Sequence, residues 1–267
     1  LFTWTPRTRR LQGGEFSSNK DNKQDLVGIN DNDFNAPPRH FFSTPLLISP
    51  HIQRRIGLTG GIATGKSTVA QLLQARFALP VLDADLFARD ALAPGTAATQ
   101  AVVARFGSRV LAPRARPGAG ADAGAADGGT ALDRQALGRL VFSDPVERRW
   151  LEGLVHPLVR QRFAQELATL AQAPAVVLMI PLLFEAGLEP LCSEIWLVDC
   201  EPAEQRARLL ARDGSTAADA DARIAAQWSL ERKRSLADVL IDNRAGAESL
   251  ASQLERALGL KAQSKGC

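Results

Sequence analysis

Ile56-Gly57-Leu58-Thr59-Gly60-Gly61-Ile62-Ala63-Thr64-Gly65-Lys66-Ser67-Thr68 decides the architecture of this chain. Its head is an apolar run, its middle satisfies G-x-x-x-x-G-K-[ST], and beyond it Val69, Leu72, Leu73 and Phe77 fall at i, i+3, i+4 and i+8. That spacing predicts a helix with one apolar face. A strand that passes through a glycine-rich loop into a helix brings backbone N–H groups together at a helix N-terminus, where phosphate is favoured. The expected nucleotide contacts are Gly60, Gly61, Ala63, Thr64, Gly65, Lys66, Ser67 and Thr68. Lys66 is to reach the β and γ phosphates of ATP and the Ser67 hydroxyl to ligate Mg²⁺.

Working outward, short apolar runs alternate with helical periodicity, the pattern of a parallel sheet with crossover helices. Strands are expected at 55–59, 80–83, 175–180, 194–198 and 238–241. Leu250, Leu254, Ala257 and Leu258 predict a closing helix. The stretch between the second and third strands holds several helical patterns and no strand, which is too much chain for one crossover. The expected fold is therefore α/β: a three-layer, phosphate-loop NTPase-type domain with a five-stranded parallel sheet. Its core comprises 55–92 and 174–258, with a helical insertion over about 93–173 and a lid over about 208–230. Within the insertion, 112–131 is a Gly/Ala-rich loop unable to pack a core of its own.

Residues 1–54 differ in composition from the rest, holding five of the six asparagines together with Pro37-Pro38 and no sustained periodicity. They are expected to be a disordered or dispensable leader, and 261–267 a flexible tail. Charge divides at the same place. Residues 1–55 carry 8 Lys+Arg against 5 Asp+Glu, while 56–267 carry 24 of each. The folded part is thus neutral, and no nucleic-acid partner is expected. The longest apolar run, 175–184, is interrupted by Pro181 and is about half of what a membrane-spanning helix needs, so no membrane association is expected. Three cysteines without a C-x-x-C pair argue for a reducing, cytoplasmic compartment. Three scattered histidines offer no transition-metal cluster. A monomer is expected.

Two further clusters carry chemistry. Asp83-Ala84-Asp85 closes the second strand, at the end of the sheet where ligands bind in open α/β folds. If both aspartates shared the strand face, one could orient an attacking hydroxyl and the other could stand near Mg²⁺, unless one of them caps the helix that follows. Arg206, Arg208 and Arg212 follow the fourth strand. Arg206 reads as a solvated ion-pair partner and Arg212, just before Gly214, as a phosphate-directed residue at the hinge of a lid. Absences narrow the class. Residues 56–242 contain no asparagine, so the Asn-Lys-x-Asp base reader of GTPases is missing, and the third strand ends in Met179-Ile180-Pro181 rather than in an acidic pair. A small-molecule kinase remains.

With these residues assembled, the chain from Arg55 to about Leu258 resembles the dephospho-CoA kinase family. The resemblance rests on the phosphate loop, Asp83-Ala84-Asp85, Leu132-Asp133-Arg134, Leu151-Glu152 with His156-Pro157, and Pro181-Leu182-Leu183-Phe184-Glu185. It continues through Arg212-Asp213, Gln227, Ala237-Asp238 and Ile241-Asp242-Asn243. It implies transfer of the ATP γ-phosphoryl group to the ribose 3′-hydroxyl of dephospho-CoA, with the helical insertion binding the CoA moiety. It further implies Asp85 as hydroxyl-orienting base, Lys66 and Arg212 as the other catalytic residues, and Asp83, His156, Pro157 and Gln227 on the acceptor side. Two departures stand out: Ala63 where many members have glycine, a change of little cost if the backbone there suits alanine, and Met179 where some have an acidic residue. Another small-molecule or nucleoside monophosphate kinase on the same core is the alternative, and a nucleotide-binding module without turnover is a more distant one.

Overall fold

The computed structural model describes residues 53–112, 131–214 and 216–260. The expectations for the leader, the body of the Gly/Ala-rich loop and the tail fall outside these residues, except that Arg54 already belongs to the first strand.

The order of elements is β1 (Arg54–Gly60), α1 (Lys66–Phe77), β2 (Val81–Asp83), α2 (Ala84–Ala91), α3 (Ala97–Phe106), α4 (Arg134–Ser143), α5 (Pro145–Thr169) and β3 (Ala175–Met179). It continues with β4 (Glu194–Asp199), α6 (Pro202–Asp213), α7 (Ala217–Ala225), α8 (Leu230–Arg234), β5 (Val239–Asp242) and α9 (Leu250–Ala257). The five strands form one parallel sheet in the order β2-β3-β1-β4-β5. Because every strand points the same way, the carboxyl ends of β1, β2, β3 and β4 all open on one edge. The chain leaves central β1 to build β2 on one side and later crosses to β4 on the other, which opens a crevice at that edge.

Side-chain alternation along the strands makes the three layers. In β3, Ala175 and Val177 join Ile56, Leu58, Trp196 and Val198 in packing on α1 and α9. Val176 and Leu178 point the other way, into a larger core with Phe87 of α2, Val102 of α3, and Leu151 and Phe163 of α5. Burial on both faces is why these strands read as unbroken apolar runs. The insertion packs on the core through long α5, which touches α2, α3 and α4. Helix α5 starts at Pro145 under an Asp144 cap, whose carboxylate accepts Val146 N–H at 2.7 Å. It carries Pro157 in its interior. The missing proline N–H frees the carbonyl of Gly153, an exposed residue with open space around it. At the foot of the Gly/Ala-rich loop, Leu111 and Leu132 pair as an antiparallel bridge.

Gly57 is required by a close approach. A Cβ there would lie 2.5 Å from Cys192 Sγ and 2.8 Å from Leu183 Cδ1. Gly57→Ala should therefore cost about 1–3 kcal/mol through overpacking, read as a lower midpoint in urea melts with the m-value unchanged.

Candidate active site

Gly65 opens α1 at φ +102° with no side-chain cap, whereas α2, α3, α4, α5, α7, α8 and α9 each receive a cap from an Asp, Thr or Ser. Helix α6 also lacks a side-chain cap, but at α1 the uncapped N–H groups of Lys66 and Ser67 stand at the phosphate-loop cavity. A side chain at Gly65 would be strained by that φ and would overlap Asn243 Nδ2. Asn243 follows β5 and donates to the Thr64 carbonyl at 2.8 Å. Two glutamines hold the loop from the opposite side. Gln227 Oε1 accepts the Ile62 amide at 2.8 Å, and Gln205 Nε2 donates to the Ile62 carbonyl at 2.9 Å. The buried Thr64 hydroxyl closes the turn on the Gly61 carbonyl at 3.0 Å.

The condition under which alanine would cost little at position 63 is not met. The φ of Ala63 is +59°, in the left-handed region, where a Cβ crowds the following carbonyl. The strain is held by small apolar packing, since Ile62 and Ala63 cluster with Leu209 of α6 and with Ala220 and Ile224 of α7.

Lys66 Nζ donates to the carbonyls of Gly60 and Gly61 at 3.0 and 2.6 Å. Burial first, then the charge of Lys233, lower its pKa to about 7, against the pull of Asp85. Ser67 is exposed on the wall of a wide cavity that is also lined by Asp83, Asp85, Met179, Arg208 and Arg212. The two aspartates do different work. Asp83 is the cap of α2, its Oδ1 accepting Asp85 N–H at 2.8 Å and Leu86 N–H at 3.4 Å. Asp85 is therefore not on the strand face with Asp83, as the i, i+2 spacing suggested, but in the first turn of α2. Both still line the cavity. Burial, and then the neighbouring charge of Asp83, push the Asp85 pKa above the ordinary aspartate range, opposed by Lys66.

On α6, Arg206 forms an exposed ion pair with Asp221 of α7 at 2.6 Å. Arg212 is held by Asp213 at 2.7 Å, and Arg223 grips the same carboxylate. Arg208 donates to the Asn243 carbonyl at 2.8 Å. Arg208, Arg212 and Arg223 face the wide cavity together with Gln227. Sequence reasoning missed the structural parts of Arg208, Arg223 and Gln205. None of the three stands in a motif, and only the i, i+4 spacing of Arg208 and Arg212 hinted at a shared face.

A second, mostly apolar cavity adjoins the first. Asp85, Phe142, Pro181 and Leu182 line both. Its far wall is α5, where Arg148, Glu152 and His156 stand at successive i, i+4 positions among Leu151, Val155 and Val159. Burial, and then Arg160, lower the His156 pKa to about 4, so the imidazole is neutral. Pro157 lies exposed on α5, outside both linings. Burial raises the thiol pKa of Cys192 to about 12 and of Cys200 to about 11, so neither is a nucleophile at neutral pH.

Comparison with known proteins finds relatives that span this domain. The family model for dephospho-CoA kinase matches residues 54–249. A dephospho-CoA kinase of Parasynechococcus marenigrum is 58% identical over 79% of this chain and 98% of its own. One from Prochlorococcus marinus is 54% identical over 76% and 94%. A crystal structure from Thermus thermophilus superposes with a TM-score of 0.62 at 38% identity, covering 78% of this chain and 95% of the other.

Two substitutions read the strain in this site. Ala63→Gly should stabilise the unliganded protein by about 0.5–1 kcal/mol, because relief of the left-handed alanine exceeds the added freedom of the unfolded chain. Asp85→Asn should raise the melting temperature at pH 7. The folded-state pKa of Asp85 is raised, so the ionised carboxylate destabilises the fold at neutral pH. The gain should shrink as pH falls through the folded pKa and vanish below the unfolded value of about 3.9. Melts of both proteins across pH 3–8 check the sign.

Proposed function

The chain belongs to the dephospho-CoA kinase family, and on that premise we propose that its two adjoining cavities bring ATP and dephospho-CoA together at Asp85. The observation that carries the assignment is the wall shared by the two cavities. Asp85 is a catalytic-edge carboxylate that borders both the phosphate-loop cavity and the apolar one. A hydroxyl carried by a molecule in the second cavity meets a phosphoryl group held in the first only there.

The roles follow from position. The uncapped start of α1 and the loop amides hold the triphosphate, and Lys66 moves from its own loop carbonyls to the β and γ oxygens. Asp85 accepts a hydrogen bond from the ribose 3′-hydroxyl, orients its oxygen toward the γ phosphorus and takes its proton as the bond forms. Arg212 turns from Asp213 to the transferring group, with Arg208 and Arg223 beside it. The γ-phosphoryl group passes from ATP to the acceptor oxygen and ADP leaves, without a covalent enzyme intermediate. Asp83, His156 and Gln227 border the space the acceptor and the transferring group occupy, and Pro157 shapes the helix that presents His156.

Among the described residues, no group of three or more His, Cys, Asp or Glu could hold a metal ion. The oxygen donors near the loop, the Ser67 hydroxyl and the Asp83 and Asp85 carboxylates, suit Mg²⁺ arriving with the nucleotide. Bound there, Mg²⁺ would supply charge neutralisation at the β and γ phosphates. Met179 at the end of β3 offers no carboxylate, so the burden falls on Asp83, Asp85 and water. Among the described residues no helix is long and apolar enough to cross a membrane. With Cys192 and Cys200 as free thiols, a cytoplasmic monomer is the assignment we favour.

ADP formation should depend on added dephospho-CoA and yield CoA. Turnover of shikimate or of a nucleoside monophosphate in its place would sink the assignment. Lys66→Ala should lose most phosphoryl transfer. Asp85→Asn should bind ATP as before and lose about 10²-fold or more in kcat. Full activity in Asp85→Asn would remove the base from this position.

A further inference from the structure

Neither Lys233 nor Glu185 exposes any side-chain surface, and Lys233 Nζ lies 2.7 Å from Glu185 Oε1. A buried ion pair is seldom a source of stability, since the cost of desolvating both charges commonly matches or exceeds their attraction. Burial lowers the Lys233 pKa, and Glu185 opposes it. What the pair connects is more telling than what it contributes to the core.

Glu185 closes the turn after β3, whose Pro181 and Leu182 line both cavities. Its Oε1 also accepts the Trp228 N–H at 3.0 Å. Phe184 stacks on the Trp228 ring with centroids 6.4 Å apart and planes 1° from parallel, and the Arg232 guanidinium lies 3.2 Å from the centre of that ring. Trp228 follows Gln227, whose side chain holds the Ile62 amide of the phosphate loop. A continuous chain of contacts thus runs from Lys233 through Glu185, Trp228 and Gln227 to Ile62. It joins the wall of the acceptor cavity to the loop that holds the donor.

We propose that Glu185 and Lys233 are positioning residues for phosphoryl transfer, an internal strut that holds the turn after β3 and the Gln227 arm in one register. The proposal rests on the kinase reading above. Lys233 lines neither cavity, although its charge reaches Lys66; it fixes the geometry of Glu185, and Glu185 fixes the arm. A displacement of about 1 Å between donor and acceptor is enough to cost about 10²-fold in rate.

The test compares the full-length protein with Glu185→Gln/Lys233→Met. This double variant removes both charges and leaves an amide oxygen for the Trp228 N–H. Lys233→Met alone would strand the Glu185 charge and destabilise the fold, so the double variant is the informative one. It should melt within about 3 °C of wild type, consistent with the small stability value of buried pairs. It should keep the ATP Kd and the acceptor KM within about threefold and lose about tenfold or more in kcat. Gln227→Met cuts the same chain one link on and should give a similar loss. Combined with the double variant it should add little, because coupled residues are not additive. A double variant with wild-type kcat overturns the proposal, as does a loss additive with Gln227→Met. If wild type fails to phosphorylate dephospho-CoA, the functional reading falls. The strut is then judged by hydrogen exchange: an Ile62 amide exchanging about tenfold faster in the double variant supports it, and unchanged exchange overturns it.

Discussion

A loop that binds phosphate through its backbone has to leave its own amides unpaired and still hold a fixed shape. Everything else in this molecule is arranged around that conflict. Three side-chain amides resolve it from outside: Gln205 on α6 and Gln227 beyond α7 grip Ile62, and Asn243 beyond β5 grips Thr64. They satisfy the groups not aimed at a ligand and free the rest. Gly65 and the left-handed Ala63 provide the backbone path. Strain at Ala63 is the kind of cost that surrounding structure must sustain, and the packing of Ile62 on Leu209 and Ala220 does so.

The same logic explains the electrostatics. Asp85, with its raised pKa, and Lys66, lowered to about 7, are perturbed in opposite senses by the same burial. A carboxylate that is costly to ionise and an ammonium that is costly to keep charged are both relieved when a polar acceptor and an anionic donor arrive. Ionised Asp85 and charged Lys66 are therefore each held at a cost to the fold. Glu185 and Lys233 extend this pattern away from the chemistry, a buried pair whose value lies in register.

Much of this was legible in the chain itself. All five strands fall within two residues of the expected limits because strands buried on both faces must be apolar runs. The helix after the loop, the long helical insertion and the order of strand, loop and helix came from local periodicity. The paired aspartates were identified, but their division of labour was not. Helix α2 begins two residues earlier than an extended Asp83-Ala84-Asp85 would allow, which puts Asp85 on a helix and leaves the cap to Asp83. Likewise the place of His156 in the middle of a 25-residue helix beside Arg148 and Glu152 was not legible.

The residues that only the tertiary structure reveals share one property. Gln205 meets Ile62 across 143 positions, Asn243 meets Thr64 across 179, and Trp228 meets Glu185 across 43. No local pattern encodes such pairs, since a glutamine on a helix or a lysine in a five-residue turn of helix reads as surface. The sequence by itself determined the phosphate loop, the parallel sheet and the family, because these rest on contacts between neighbours in the chain and on which side chains avoid water. The tertiary structure decided which polar groups are buried and what they hold, because burial of a polar group is set by whatever packs against it from far along the chain.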